Sequence, residues 1–161
     1  MFNKLFGQKK EKKIEILAPV SGTLINLESV NDQVFSTKLM GEGFAIIPAN
    51  GDLVSPIEGK ITSIFPTKHA IQFESSGVQL LLHLGLETVN LEGVPFNLMV
   101  SVGQHVTAGS SLGSIDLAYL EDKKVDPTII TVFPELSQER VIEFLNSSDQ
   151  ITAGKKIMSI C

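Results

Sequence analysis

The sequence predicts an all-β protein, an antiparallel β-sandwich or barrel with a few short helical segments. Short apolar runs recur along the chain, and turn residues, among them 13 Gly and 7 Pro, separate them. Helical periodicity is scarce. With 161 residues and 43% hydrophobic content, the chain is long enough to bury one core, so we expect residues 14–161 to form a single domain.

The individual elements follow from these runs and their flanking turns. We predict strands at 14–18, 22–27, 43–48, 59–65, 69–74, 78–84, 111–116, 128–133 and 156–160. Two segments have the spacing of short helices, DLAYLEDK at 116–123 and ELSQERVIEFLN at 135–146. The second helix would turn inward Leu136, Val141 and either Phe144 or Leu145.

Two pairs of segments echo each other along the chain. APVSGTL at 18–24 and SPIEGKI at 55–61 share a Pro-x-x-Gly turn that leads into a strand. VTAGSSLGSI at 106–115 matches ITAGKKIMSI at 151–160 almost position by position. The echoes predict either related units on opposite sides of a pseudo-symmetric sandwich or the convergent use of Gly in tight turns.

The first 13 residues differ in charge from the rest of the chain. They hold five lysines and one glutamate, and because the whole chain carries −5, the remaining residues carry −9. An acidic body lacks the basic surface that nucleic acids require and suits a basic protein partner. We expect residues 1–13 to form a flexible tail; alternatively, Phe2, Leu5 and Phe6, spaced as on one helical turn, would give weak contact with an anionic membrane.

Composition also limits the location and the covalent chemistry. No run approaches the roughly 20 apolar residues of a membrane-spanning helix, and the N-terminus lacks the features of a secretory signal, so we expect a cytoplasmic protein. The single cysteine, Cys161, excludes an internal disulfide and a cysteine metal cluster.

Residues 69–85 have the pattern of a β-hairpin that carries two histidines. A three-residue loop at 75–77 would place Gly77 at the left-handed position that such loops favour. His69 and His83 would then share one face, whereas a two-residue loop would send them to different faces. The pairs in the expected register are Glu74–Val78, Ile71–Leu81 and His69–His83.

In this register the two faces of the hairpin differ. The histidine face would also carry Ile71, Phe73 and Leu81 as an apolar patch open to a partner, and the other face would enter the core. Leucines fill that second face: Leu80, Leu82, Leu84 and Leu86.

Paired neutral imidazoles suit either metal binding or phosphoryl transfer. A lone histidine in an apolar strand is more commonly a satisfied core residue, but two that face each other need a chemical reason. A catalytic zinc, as in a zinc peptidase, would need Asp or Glu to complete its ligands, because the chain has neither H-E-x-x-H nor H-x-H. The third histidine, His105, lies in the polar segment VGQHVTAG, and we expect it to be exposed.

Four segments together carry a resemblance to a known family. They are GVQLLLHLGLETV at 77–89, FPTKHA at 65–70, APVSG at 18–22 and VFSTKLMGEGFAI at 34–46. From about residue 14 to the end, the chain resembles the glucose-type enzyme IIA family of the bacterial phosphoenolpyruvate-dependent sugar phosphotransferase system. The resemblance implies a fold of the duplicated hybrid motif type.

The resemblance also implies roles for three residues. His83 would accept a phosphoryl group from the carrier protein HPr and pass it to the cysteine of a IIB domain. His69 would interact with the phosphoryl group, and Thr67 would hydrogen-bond His69. The transfer requires no metal, although enteric members of the family can share a zinc ion between the two histidines and a carboxylate of a partner.

The family also has an apolar docking surface around its active histidine. Asp32 and Glu87 match acidic positions suited to a basic HPr. Gln33 and Leu81 depart from the better-known enteric pattern, which places an apolar and an aromatic residue there. We expect Phe35 and Phe65 to be exposed, although apolar residues at these positions can instead belong to the core. The apolar positions are Val34, Phe35, Met40, Phe65 and Leu81.

Two functions follow as expectations. The first is a phosphoryl relay in sugar import, with the IIB and membrane-spanning IIC components as separate polypeptides. The second is a regulatory binding protein whose phosphorylation state controls permeases or kinases.

Overall fold

The all-β prediction is confirmed. The structure, a computed structural model, describes residues 13–145 and 149–161, and the predictions for residues 1–12 lie outside this range. The described strands are β1 (Ile14–Leu17), β2 (Gly22–Ile25), β3 (Glu42–Pro48), β4 (Asp52–Val54), β5 (Gly59–Ile64), β6 (Ala70–Ser75), β7 (Val78–Leu84), β8 (Phe96–Leu98), β9 (His105–Val106), β10 (Ser111–Ile115), β11 (Ile129–Phe133), β12 (Ile142–Phe144), β13 (Gln150–Ile151) and β14 (Lys156–Ile160). The helices are α1 (Gln33–Ser36) and α2 (Leu117–Asp122), with 3-10 turns at Leu27–Ser29 and Thr88–Leu91.

The strands form one large and two small antiparallel sheets. The eight-stranded sheet has the order β13-β2-β3-β11-β7-β6-β5-β9, and the three-stranded sheets have the orders β1-β14-β12 and β4-β10-β8. The large sheet is symmetric in its connections, because β13 pairs with β2 at one edge as β9 pairs with β5 at the other. From these edge strands the chain continues into β14 and β10, each in a three-stranded sheet.

The echoed segments occupy equivalent positions in this arrangement. Ala18 O accepts a hydrogen bond from Gly154 N at 2.9 Å, and Ser55 O accepts the equivalent bond from Gly109 N at 2.8 Å. The two Pro-x-x-Gly segments lie side by side: the residue before each donates to the proline of the other, Leu17 N to Pro56 O and Val54 N to Pro19 O, both at 2.8 Å. Equivalent bonds at equivalent positions favour internal duplication over convergent turn chemistry.

The central strand β11 separates two apolar clusters. All five of its residues are buried, as expected for a strand covered on both faces. Ile129 and Phe133 face the main core, which also contains Phe44 and Phe73. The alternate residues of β11 face a second, smaller cluster, here called the site cluster, whose buried members are Leu27, Val30, Phe35, Ala45, Ala70, Leu81, Leu86, Ile130 and Val132.

Both α-helices begin at an aspartate whose side chain caps the first turn. Asp32 accepts a hydrogen bond from Val34 N at 2.9 Å, and Asp116 accepts one from Tyr119 N at 3.0 Å. The helix expected at 116–123 is therefore present as α2. Helix α1, with only four residues, is too short for periodicity to reveal it.

The helix expected at 135–146 is wrong. Residues 142–144 form β12, an edge strand that pairs with β14, so pairing across strands satisfies the backbone there. Of the residues expected to turn inward, Leu136 packs against the main core, but Val141, Phe144 and Leu145 are exposed. None of the helices in the described part of the chain is long and apolar enough to cross a bilayer.

Candidate functional site

The hairpin formed by β6 and β7 turns through two residues, so the predicted three-residue loop is wrong. Ser75 pairs with Val78, and the turn consists of Ser76 and Gly77, whose φ angles are 48° and 81°. Positive φ at both central residues is characteristic of a type I′ turn, which matches the twist of the flanking strands. In this register His83 lies opposite Ala70 rather than His69.

The shift of one residue exchanges the side chains that share a face with His83. Ile71 and Phe73, expected on the histidine face, lie in the main core with Leu80, Leu82 and Leu84. Leu81 does share the histidine face and belongs to the site cluster. Leu86, expected in the main core, also belongs to the site cluster, because the chain leaves β7 after Leu84 and turns.

The histidines nevertheless meet, because β6 begins only at Ala70. The preceding chain forms a tight turn in which Phe65 N donates to Ala70 O at 3.0 Å and Lys68 adopts a left-handed φ of 58°. His69 O still accepts from Leu84 N at 2.7 Å, so the hydrogen bonds to β7 reach one residue beyond β6, while the turn brings the ring of His69 to that of His83. The ring centroids of His69 and His83 are 5.2 Å apart, with an interplanar angle of 76°.

The Nδ1 atom of each histidine has a partner. His83 Nδ1 donates to the carbonyl oxygen of Gly85 at 2.7 Å, since a carbonyl can only accept. This bond places the ring proton on Nδ1 and leaves the lone pair on Nε2. His69 Nδ1 is hydrogen-bonded to the hydroxyl of Thr67, as expected from the sequence.

Burial keeps both imidazoles neutral near pH 7. Burial lowers the pKa of His83 below its usual value, and the neighbouring His69 acts in the same direction. The hydrogen bond to Gly85 and the negative charge of Asp32 oppose this shift, but burial has the larger effect. Burial also lowers the pKa of His69.

Aromatic rings flank the histidine pair. The ring centroid of Phe35 lies 5.1 Å from that of His83, and the ring of Phe65 lies 5.3 Å from that of His69 in an edge-to-face arrangement. The expectation that Phe35 is exposed is wrong: only 6% of it is accessible, because α1 directs it into the site cluster. Phe65 is half-buried.

The other residues matched to the docking surface differ in exposure. Val34 and Glu87 are exposed, Asp32 and Met40 are half-buried, and Leu81 is buried. Asp32 and Val34 lie at the start of α1, next to Phe35. Val34, Glu87 and parts of Asp32, Met40 and Phe65 are thus accessible, whereas Phe35 and Leu81 belong to the buried site cluster.

Sequence reasoning missed two backbone features of the site. Gly85 carries the carbonyl that orients His83 and has a φ of 79°, where a Cβ atom would lie 2.6 Å from Cγ2 of Thr88. Its position two residues after a histidine, at the end of a strand, was the available signal. The left-handed conformation of Lys68 had no such signal, because nothing about a lysine favours it.

The third histidine, His105, lies away from the histidine pair. His105 is exposed in β9, at the far edge of the sheet, with Nε2 3.9 Å from a carboxylate oxygen of Glu58.

The Nε2 atoms of His69 and His83 suit zinc, because each ring has its Nδ1 engaged by another group. No set of three potential metal ligands gathers among residues 13–145 and 149–161, so these two histidines would need a ligand from elsewhere.

Comparisons with known proteins identify the family of the chain. Residues 14–139 match the family described as phosphoenolpyruvate-dependent sugar phosphotransferase system, EIIA 1. Two relatives, from Staphylococcus epidermidis and Staphylococcus aureus, are each called PTS system glucose-specific EIIA component. Each is 45% identical to this chain over 137 residues, which cover 81% of this chain and 82% of the relative. The solved structure of glucose permease IIA from Mycoplasma capricolum is 36% identical, with a TM-score of 0.83 over 92% of this chain and 96% of that one.

The family match covers most of the chain, including the histidine pair, and the structural likeness extends over nearly all of it. The chain therefore belongs to the EIIA 1 family of the phosphoenolpyruvate-dependent sugar phosphotransferase system and is a phosphocarrier of that system.

Proposed function

We propose that Nε2 of His83 accepts a phosphoryl group from the phosphohistidine of HPr and passes it to the cysteine of a cognate IIB domain during sugar uptake. The observation that carries this proposal is the 2.7 Å bond from His83 Nδ1 to Gly85 O. A ring whose proton is held on Nδ1 presents the Nε2 lone pair, which is the nucleophile that phosphoryl transfer needs.

Each transfer exchanges one bond to phosphorus for another. The Nε2 lone pair of His83 forms the new P–N bond, and the electron pair of the broken P–N bond returns to the ring nitrogen of HPr. In the next step a thiolate sulfur of the IIB domain attacks the phosphorus, and the P–Nε2 electron pair returns to His83. The Nδ1 proton of His83 stays bonded to Gly85 throughout.

His69 acts on the phosphoryl group without bonding to phosphorus. When the hydroxyl of Thr67 donates to Nδ1 of His69, the His69 proton lies on Nε2 and can bond to a phosphoryl oxygen. The 5.2 Å separation of the two ring centroids brings that donor to the transferring group. A donor fixed in place before the reaction stabilises the charge on the equatorial oxygens.

The rim of the site supports docking of a basic protein. Glu87 and Asp32 supply negative charge, and Val34, Met40 and Phe65 supply accessible apolar surface beside the histidines. Charge complementarity of this kind speeds encounter and selects partners. The relatives that are named glucose-specific favour glucose as the transported sugar. We propose that the relay operates in the cytoplasm.

Transfer of labelled phosphate tests the proposal. Purified wild-type chain, His83→Ala and His105→Ala are incubated with enzyme I, HPr and labelled phosphoenolpyruvate. We expect the wild type and the His105 variant to take up an acid-labile, base-stable label and His83→Ala to take up none. A histidine phosphate on His83→Ala would contradict the proposal.

The same site supports a second function, a regulatory protein that docks to permeases or kinases according to its phosphorylation state. The observation that favours it is that both Nε2 atoms remain available to a ligand shared with a partner. Zinc would then bind in the complex, with a carboxylate of the partner among the ligands, and the relay itself would use no cofactor. Metal analysis of the chain with and without such a partner tests this: zinc bound equally by the chain alone contradicts it.

The N-terminal residues are a separate question. We propose that residues 1–13 serve as a basic tail that makes at most weak contact with an anionic membrane. Sedimentation with anionic vesicles, comparing the full chain with a form that lacks residues 1–13, tests this: we expect the two forms to differ little, and strong sedimentation of the full chain alone would contradict the proposal.

A further inference from the structure

The hydrogen bond that orients His83 depends on a single peptide group, the one between Gly85 and Leu86. Its carbonyl accepts from His83 Nδ1 at 2.7 Å, and its N–H donates to the carbonyl of Asp126 at 2.9 Å. The preceding N–H, that of Gly85, donates to the carbonyl of Thr128 at 3.0 Å. The orientation of the His83 ring is thus set by two carbonyl groups of the segment before β11.

Those two carbonyls are held by a turn that the side chain of Asp126 forms. Its Oδ1 accepts from Thr128 N at 2.9 Å and from the Thr128 hydroxyl at 2.6 Å. Pro127 between them fixes its own φ and restricts Asp126 to extended conformations. Thr128 is 5% exposed, so little solvent is available to replace these bonds.

We propose that Asp126, through this turn with Thr128, is a positioning residue for His83. The bonds run from the Asp126 carboxylate to the backbone of residues 126–128, then to the peptide between Gly85 and Leu86, and then to Nδ1 of His83. The coupling is geometric, because the carboxylate fixes the backbone of residues 126–128, whose carbonyl groups hold the peptide that accepts from His83. The carboxylate of Asp126 bonds Thr128, so its effect on His83 passes through the backbone. The benefit to phosphoryl transfer rests on the proposed role of His83, but the effect on the ring does not.

The test measures the tautomer of His83 in the unphosphorylated protein with ¹⁵N-labelled histidine. Asp126→Ala removes the turn, Asp126→Asn keeps an oxygen that can accept both bonds, and Asp116→Ala removes a comparable capping bond at α2, far along the chain from the site. We expect Asp126→Ala to lower the ratio of the Nδ1–H to the Nε2–H form about tenfold, the effect of losing the one hydrogen bond from His83 Nδ1 to Gly85 O. The ratio should be retained in Asp126→Asn and in Asp116→Ala.

Three results would overturn the proposal: an unchanged ratio in Asp126→Ala, an equal change in Asp116→Ala, or a loss in Asp126→Asn as large as in Asp126→Ala. If Asp126→Ala does not fold, Thr128→Val removes one of the two bonds at nearly constant volume. It should shift the ratio in the same direction by a smaller factor, and no shift would count against the proposal. Because no phosphate donor is present, this measurement does not depend on whether His83 is the acceptor.

Discussion

His69 and His83 meet with ring centroids 5.2 Å apart, although the residue that pairs with His83 across the hairpin is Ala70. The contact is therefore a property of the turn before β6 and not of strand register. That turn fixes the approach of His69, while Gly85 fixes the proton of His83. Two backbone features thus set the proposed donor and the proposed nucleophile of one site.

Replacing His69 separates these two roles. We expect His69→Gln to be phosphorylated at His83 but to pass the group to IIB about 10²-fold more slowly, the usual effect of removing a fixed donor to transition-state charge. Single-turnover transfer to IIB, with His105→Gln as control, measures this. Onward transfer at the wild-type rate would remove His69 from the mechanism.

Gly85 and Gly103 form a matched pair that tests the contacts around the Gly85 carbonyl, which accepts from His83. Both have positive φ, 79° and 92°, but a Cβ at Gly85 would lie 2.6 Å from Thr88 Cγ2, whereas nothing lies within 4 Å at Gly103. Backbone strain alone should cost Gly103→Ala about 1 kcal/mol of unfolding free energy. Gly85→Ala should lose more and should also slow phosphorylation of His83.

Denaturant unfolding and phosphate uptake, measured on both glycine variants, check that prediction. Equal losses of stability at the two positions, with normal phosphorylation of Gly85→Ala, would show that the turn after β7 does not constrain the histidine.

The lowered pKa values of both histidines predict a pH dependence with a definite sign. An ordinary histidine titrates near 6.5, so below about that pH the unfolded chain binds more protons than the folded chain. The free energy of unfolding should therefore fall as the pH decreases through this range. The loss is complete only below the lowered pKa values of the folded state.

Urea unfolding between pH 5 and pH 8 on the wild type and on a variant with His69→Gln and His83→Gln measures this slope. The double variant should have a shallower slope than His105→Gln, which changes only an exposed histidine. A slope that the double variant leaves intact would mean that other groups carry the dependence.

Negative charge at the rim predicts salt-dependent docking. Glu87→Lys should slow association with HPr about tenfold at low salt, with a smaller effect at high salt because exposed charges are screened. Glu143→Lys, an equal change on the exposed strand β12, should leave association unchanged. Stopped-flow association at two ionic strengths distinguishes the variants, and equal effects would indicate net charge rather than a defined surface.

The strands that could be predicted from the sequence are those with a local pattern of their own. Each of the nine predicted strands overlaps an observed one, because an apolar run bounded by turn residues is visible in a single segment. Strands such as β9 and β13, with two residues each, are defined by their partners and had no local pattern. Residues 142–144 had helical spacing, but pairing with β14 overrode it.

The same distinction holds at the site. The structure brings His69 and His83 together and bonds Thr67 to His69, as predicted, but the predicted hairpin register was wrong. The reason is that Ser76 takes a positive φ that glycine, not serine, would have signalled. The prediction that the two histidines adjoin was correct, although the strand pairing from which it was argued does not exist. The histidines meet because the turn with a left-handed Lys68 brings His69 to His83.

The measurement that tests the account most directly is the site of phosphorus attachment on the ring. After phosphorylation by HPr, ³¹P and ¹⁵N spectra of the intact protein should show phosphorus bonded to Nε2 of His83 and a proton still on Nδ1, bonded to Gly85. Phosphorus on Nδ1 of His83, or on His69, would contradict it.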